Sequence, residues 1–467
     1  MSPDPRQEPA GLIVVGASVG GLAAAVIAAD RGCRTIVIER GKELGGGASH
    51  DAEAIAAAGT RFQRDAGLED SPERFAADIL AASRHHVEQE LALALAEQGA
   101  PLVEWLADRC GLGVELMAAF TGAGHSVPRL HAPGDQGGAS LVAALARAAS
   151  RHTRVSVRPG LVAERLVRDD AGRVTGLAVR PERRGAGQTL AGPVLLACGG
   201  FAASDALVAA HCPAAAGLPY FGWPGSVGEA LRLGVEAGAQ TRHLDACLVT
   251  PLLAMPGALA VTAPLVELGA ILVNQAGRRF ADETVERLVL ATAVRGQPGH
   301  VAYLLFDERI ATAARTADPF FARTVLPRTG RRAMTLEVLS KQFEIDAEAL
   351  TLTVDTFNGN VELGGDPFGR ERFGGPLEPP FHAIRVTGAR WRTFGGLAVD
   401  RTAHVLDAAG RPIPGLYAAG GAAEGLGGDG TEGWLPGTDA LAALALGRLA
   451  ALDVVAQASA AAAEPAR

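Results

Sequence analysis

At 467 residues the chain is too long to close around one small core, so two domains, or one large domain carrying an insertion, are expected. Hydrophobic residues make up 48% and charged residues 20% of the composition, and the formal net charge of -8 lacks the basic excess of a phosphate-binding surface, which argues against nucleic acid as a partner. The opening MSPDPRQEP is polar and proline-rich, without the basic-then-apolar order of a secretory signal, and reads as a frayed arm. The Ala/Leu-rich tail from Ala440 is interrupted by Arg448 and Asp453, so it reads as a soluble helix rather than a membrane span. Cys33, Cys110, Cys198, Cys212 and Cys247 lie far apart with no metal-type spacing, so neither a disulfide framework nor structural zinc is expected, and a reducing cytoplasm is the default location.

The stretch LIVVGASVGGLAAAVIAADRGCRTIVIER places an apolar run (Leu12 to Val15), a glycine loop, an alanine-rich helix and a second apolar run ending at Glu39. This is a β-α-β unit with Gly16, Ser18 and Gly21 in the Gly-x-Gly-x-x-Gly positions. The first glycine permits the tight turn, the last lets helix and strand pack closely, and the helix N-terminus offers amides to a pyrophosphate. Glu39, ending the second strand, is placed to accept from ribose hydroxyls.

A second glycine cluster, RGKELGGGAS, follows directly. Residues 71–109 show helical spacing, with Ser71-Pro72-Glu73 as a start signal. His85 and His86 read as solvated side chains on that surface, and PERRGAGQ (Pro181 to Gln188) as a hairpin turn. GPVLLACGGFAAS supplies a further buried strand and glycine turn, and PIPGLYAAGG (Pro412 to Gly421) another. Thr438 or Asp439 is expected to cap a long final helix whose positive end would stabilise a reduced, anionic flavin. Three glycine turns on separate strands suit FAD better than NAD.

With Asn274 to Glu283 and Thr393 to Gly396 added, these motifs resemble the flavoprotein family of fumarate reductase and succinate dehydrogenase, which also holds tricarballylate dehydrogenase and 3-ketosteroid Δ1-dehydrogenase. The likeness runs from about residue 11 to 455. It implies an α/β fold: a Rossmann-like FAD-binding domain built from residues 1–244 and 392–467, with an α+β capping domain inserted at 245–391. It also implies FAD contacts from Gly16, Ser18, Val19, Gly20, Gly21, Glu39 and Arg40, from Gly45, Gly46, Gly47, Ala48 and Ser49, and from Val162, Cys198, Gly199 and Gly200. Gly420, Gly437, Thr438 and Leu441 complete the set. The substrate would lie between cap and flavin, and hydrogen would be added or removed across a carbon-carbon bond next to a carboxylate or ketone.

The catalytic residues follow from the same resemblance. Arg287, four residues after Glu283, stands where fumarate reductases carry a proton-transferring arginine; its other reading is a helix-turn partner of Glu283. The family's proton path continues through a threonine-glutamate pair and a further arginine; Thr262 matches the threonine, but Ala263 and Val266 replace the glutamate and arginine. In RWRTFGGL, Arg392 is placed to grip a carboxylate or ketone oxygen with its planar fork, or else is a solvated sheet-edge residue. Trp434 replaces a second clamping arginine, so one end of the substrate is expected to meet an apolar wall. A carboxylic acid or ketone with one polar end and an apolar or cyclic body fits this set better than succinate, and dehydrogenation is the favoured direction.

His50 falls off the position of the histidine that carries covalent FAD in succinate dehydrogenases, so noncovalent FAD is expected; His50, Asp51 and Glu53 form an alternative set of catalytic groups. Gly421 replaces a glutamate found in many relatives, with Glu424 nearby as a substitute, and Arg370 and Arg372 sit in a glycine-rich loop that either closes over substrate or faces water. No Cys-x-x-Cys-His haem motif is present, and the electron donor or acceptor is not encoded in any motif. Two other functions remain open: a flavin monooxygenase, and a flavin-binding protein without turnover.

Overall fold

A computed structural model describes residues 10–49, 54–134, 137–428 and 430–463. The reading of residues 1–9 as an arm, and that of His50, Asp51 and Glu53 as catalytic groups, lie outside the described residues. The chain divides into two compact units: Met1–Pro213 with Gly222–Cys247 and Arg392–Arg467, and Ala214–Phe221 with Leu248–Trp391.

The first unit is built on a six-stranded sheet. Its order is His404–Leu406, Pro412–Ala418, Val194–Leu196, Leu12–Val15, Thr35–Glu39, Val155–Pro159; the last five run parallel and His404–Leu406 is an antiparallel edge. Parallel strands are covered on both faces, so their sequences are continuous apolar runs rather than alternating ones. Leu12–Val15 and Val194–Leu196 are accordingly buried at every position. The strand order reverses at Leu12–Val15, whose later neighbours lie on both sides of it, and the crevice beyond such a switch point is where doubly wound sheets bind ligands.

The helix Val19–Asp30 is buried from Val19 to Ala29, which explains why its sequence is apolar all round and carries no polar stripe. It packs against the final helix, Thr438–Ala463. A side chain on Gly20 would reach within 2.4 Å of the Ala443 carbonyl, and one on Gly447 within 2.4 Å of the Gly20 carbonyl, so the two helices meet backbone to backbone at these glycines. An antiparallel meander, Leu161–Arg168, Val174–Pro181 and Gln188–Ala191, connects two strands of the sheet, with its second turn at the expected hairpin.

The second unit is a mixed α+β body. Phe381–Thr393 is its central strand, flanked by Cys247–Ala254 and by Ala302–Asp307, with Ile271–Val273 and Leu259–Ala260 outside them. The helices Arg287–Arg295, Glu308–Ala317, Leu336–Phe343 and Ala347–Leu363 complete it. Among the described residues no helix is long and apolar enough to cross a membrane.

Candidate active site

Three glycine turns converge because three adjacent parallel strands end at the same level. Val15 is level with Leu196, and Leu196 with Ala418, so the turns at Gly16, at Gly199 and Gly200, and at Gly420 leave one edge of the sheet together. Gly16 has φ 100, and a Cβ there would lie 2.5 Å from the Ala197 carbonyl, so both the turn and the neighbouring strand require glycine. Gly21 is equally constrained, with a virtual Cβ 2.2 Å from the Gly16 carbonyl; this is the close helix-strand packing expected of the third glycine.

Ser18 caps the first helix, its hydroxyl accepting from the Gly21 amide at 3.2 Å, so the residue in the middle-glycine position does local work. Glu39 binds the loop itself: one carboxylate oxygen accepts from Ala17 at 2.9 Å and the other from Gly41 at 2.8 Å. The second glycine cluster is held against this loop, because the Gly45 amide donates to the Ala17 carbonyl at 2.8 Å before Gly46–Ser49 makes one 3-10 turn that includes Gly47 and Ala48. Arg40 pairs with Glu229 at 2.7 Å, and burial holds the Glu229 carboxyl above its usual range despite that arginine. An open recess of about 590 Å³ lies beside Arg40, lined by Leu207, His211, Leu231 and Leu244. Val162 and Leu441 are buried side chains of Leu161–Arg168 and of the final helix. The Cys198 thiol is pushed up to about 12 by burial, so it is an inert lining group rather than a nucleophile.

The Arg390–Leu397 stretch is resolved residue by residue. Arg390, buried in the second unit, lies over the Tyr220 ring. Arg392, in the first unit, is ion-paired with Asp439 in the first turn of the final helix. The Thr393 hydroxyl accepts from the Phe201 amide at 3.3 Å, fastening this strand end to the glycine turn at Gly200, where a Cβ would collide with the same hydroxyl. Gly395 is pressed against the backbone of His243: a Cβ would fall 1.9 Å from the His243 carbonyl oxygen. The glycine pair is therefore a packing requirement of the charged segment beside it.

Capping of the final helix differs from expectation. The Thr438 hydroxyl donates backwards to the Leu435 carbonyl at 2.8 Å, and the Asp439 carboxylate is engaged by Arg392, because a cation is a stronger partner than an exposed amide. The turn before it is fixed by His125, whose Nε2 donates to the Pro436 carbonyl at 2.9 Å, and by the Gly437 carbonyl, which accepts from Ala56. Trp434, half-buried, precedes this turn.

In the second unit Arg287 is the first residue of the helix Arg287–Arg295, half-buried, with no acidic residue in that first turn. Glu283 is not available as a simple helix-turn partner. Its oxygens are taken by the Leu272 amide, by Arg279 and by Arg370, all in the interior. Arg370, read as a lid or solvated residue, is thus a buried strut that also donates to the Ala270 and Val266 carbonyls. Thr262 donates to Asp318 at 2.7 Å; the Asp318 carboxyl, raised by burial, also accepts from the Phe321 amide. A buried acid from a distant helix end therefore meets Thr262 where Ala263 supplies none.

Sequence reasoning missed one cluster. His86, expected to be solvated, stands 2.7 Å from His243, and Glu424, the proposed substitute for the glutamate replaced by Gly421, is 1% exposed and paired with Arg242. No local pattern marks these contacts.

The donor set fits FAD. Amides at the start of the first helix, the turns at Gly45, Gly199 and Gly420, and the Glu39 carboxylate surround one sheet edge, where small residues leave the backbone accessible. Residues 11–433 match the family described as FAD binding domain. The chain is 33% identical over 413 residues to a fumarate reductase (cytochrome) of Shewanella frigidimarina, spanning 88% of this chain and 71% of that protein. It is 27% identical over 521 residues to a 4-oxocyclohexanecarboxylate 2-dehydrogenase of Sinomonas cyclohexanicum, spanning 88% and 87% of the two chains. Among solved structures, the open conformation of a flavocytochrome c3 fumarate reductase aligns with a TM-score of 0.83 and 27% identity, over 97% of this chain and 79% of that one.

Proposed function

Because the chain belongs to the FAD binding domain family, we propose that it dehydrogenates a cyclic or apolar-bodied substrate next to a ketone, with Arg392 holding the ketone oxygen. The coarser activity is settled by kinship: the protein is an FAD-dependent oxidoreductase acting on a carbon-carbon bond next to a carboxylate or ketone. FAD, held noncovalently in this proposal, supplies two-electron hydride chemistry when bound.

The observation that carries the finer reading is the Arg392–Asp439 pair. A fork already neutralised by a carboxylate offers directed hydrogen bonds with little net positive charge. It suits the neutral oxygen of a ketone, whereas Asp439 would repel a substrate carboxylate at the same place. As charge develops on that oxygen during removal of the neighbouring proton, a guanidinium already held in place by Asp439 would need little reorganisation to stabilise it. Trp434 supplies the apolar wall for the rest of the ring, in place of a second cation.

Arg287 moves the proton in this proposal, and Thr262, bonded to the Asp318 carboxyl, serves as a second carrier. A cytoplasmic location belongs to the same reading, in keeping with five cysteines that are all free.

The test is an anaerobic absorbance titration of the FAD-loaded protein with 4-oxocyclohexanecarboxylate and, separately, succinate. Bleaching of the oxidised flavin band by the cyclic keto acid alone supports the proposal. Bleaching by succinate alone would move the protein to the dicarboxylate branch, and rapid oxidation of NADPH with oxygen uptake would make it a monooxygenase.

A further inference from the structure

His86 follows the helix Pro72–Ala82 and His243 precedes the strand Cys247–Ala254, 157 residues apart in sequence. His243 Nδ1 nevertheless lies 2.7 Å from His86 Nε2, with the ring centroids 4.2 Å apart. A nitrogen-nitrogen contact this short holds one proton, donated by one ring and accepted by the other.

Glu424 decides which ring donates. Its carboxylate is 1% exposed, accepts from the Val399 amide and from Arg242, and places Oε2 3.5 Å from His243 Nε2. That distance exceeds a good hydrogen bond, but a buried negative charge so near keeps the His243 proton on Nε2. His243 Nδ1 is then the acceptor and His86 Nε2 the donor, which leaves His86 Nδ1, on a half-buried ring, as the ring nitrogen of the pair that carries no proton.

The placement is costly and connected. His243 has φ 54, a left-handed backbone that non-glycine residues seldom adopt and that collects at working sites. Its carbonyl abuts Gly395, the Ala246 carbonyl accepts from Phe394, and the Glu424 amide donates to Leu397. The pair is therefore wired to the strand end that carries Arg392 and to the segment that follows the turn at Gly420. Glu424 faces the pair and is itself paired with Arg242, while Arg84, His85 and Asp245 are the pair's chargeable neighbours in sequence.

We propose that His86 and His243, backed by Glu424, form a proton-exchange pair that takes up one proton at His86 Nδ1 when the bound FAD is reduced and returns it on reoxidation. Reduction by two electrons and one proton leaves a negative charge on the bound cofactor. A second proton, drawn from solvent, is then held on the pair and compensates that charge. The inference rests on the FAD assignment and not on the substrate proposed above.

The test is a dithionite titration of the FAD-loaded protein with indicator dyes, repeated from roughly pH 5 to 8, where histidines titrate. The pH dependence of the midpoint potential counts protons taken up per two electrons. The unmodified protein should take up more than His86→Gln, by a difference approaching one proton within that range. His243→Asn, whose new side chain tolerates a left-handed backbone, should show the same deficit. Equal counts in all three proteins overturn the proposal, and so does loss of flavin from both variants, which would make the pair a structural clasp. Because dithionite is the reductant, an unreactive substrate panel leaves the result standing.

Discussion

The carboxylate of Asp439, in the first turn of the final helix, is ion-paired with the guanidinium of Arg392, 47 positions earlier in the chain. Both side chains are mostly buried, at 16% and 25% exposure, so the pair is shielded from the screening that makes surface ion pairs weak.

Removing that carboxylate should change ligand preference. Asp439→Asn is expected to tighten binding of cyclohexanecarboxylate by about tenfold, as the unscreened arginine becomes attractive to an anion. Perturbation of the flavin band during a ligand titration measures it. Unchanged affinity would show that Asp439 does not screen Arg392 from ligands.

Arg287→Gln separates chemistry from architecture. Hydrogen transfer is expected to slow by about a hundredfold to ten-thousandfold, with KM and the flavin spectrum little altered. A lower melting temperature with unchanged kcat would assign Arg287 to the scaffold instead.

Glu283→Gln attacks a buried hub. Arg279 and Arg370 both pair with this carboxylate, and all three side chains are at most 5% exposed. Breaking such a cluster costs about 3 to 5 kcal/mol, because the guanidiniums lose their counter-charge without regaining water. Denaturant unfolding would detect it, and a loss under about 1 kcal/mol would mean that Asp366, which also pairs with Arg279, carries the charge balance alone.

A pH dependence follows from His131, fully buried between the Thr60 hydroxyl and the Arg129 carbonyl. Nδ1 donates to the carbonyl, so Nε2 accepts from the hydroxyl, and burial pulls the ring down from 6.5 to about 4. Between those values the unfolded chain binds the extra proton, so this contribution is complete above about pH 6.5 and is lost as pH falls towards 4, amounting to about 3 kcal/mol. In His131→Gln the unfolding free energy should fall less steeply over that interval; an identical slope would remove His131 from the account.

What could be read from the sequence was what depends on near neighbours. The strand-turn-helix at Leu12–Asp30 and the carboxylate at Glu39 follow from apolar runs and from glycines whose spacing has a steric reason. What could not be read depends on chains meeting from afar. His86 looked solvated because its own turn is polar, yet its partner is 157 positions away. Arg370 lies in a loop with the composition of a surface segment, and only the approach of Glu283, 87 positions earlier, explains its burial. Asp318 illustrates the same limit: Ala263 correctly signalled a missing acid beside Thr262, but the carboxylate comes from 56 positions downstream.

The sheet that bears the glycine turns has a consequence for the order of assembly. Its strand Pro412–Ala418 and the helix Thr438–Ala463 come from the last quarter of the sequence, far downstream of the strand Leu12–Val15 and the helix Val19–Asp30. During synthesis the first half emerges with Val194–Leu196 exposed along one side and Val19–Asp30 lacking the helix that covers it. The inserted unit is complete from Leu248 to Trp391 well before that happens. Until Pro412–Ala418 is made, the Val194–Leu196 strand keeps one unpaired side, and an unpaired strand edge is the kind of surface that templates wrong pairing.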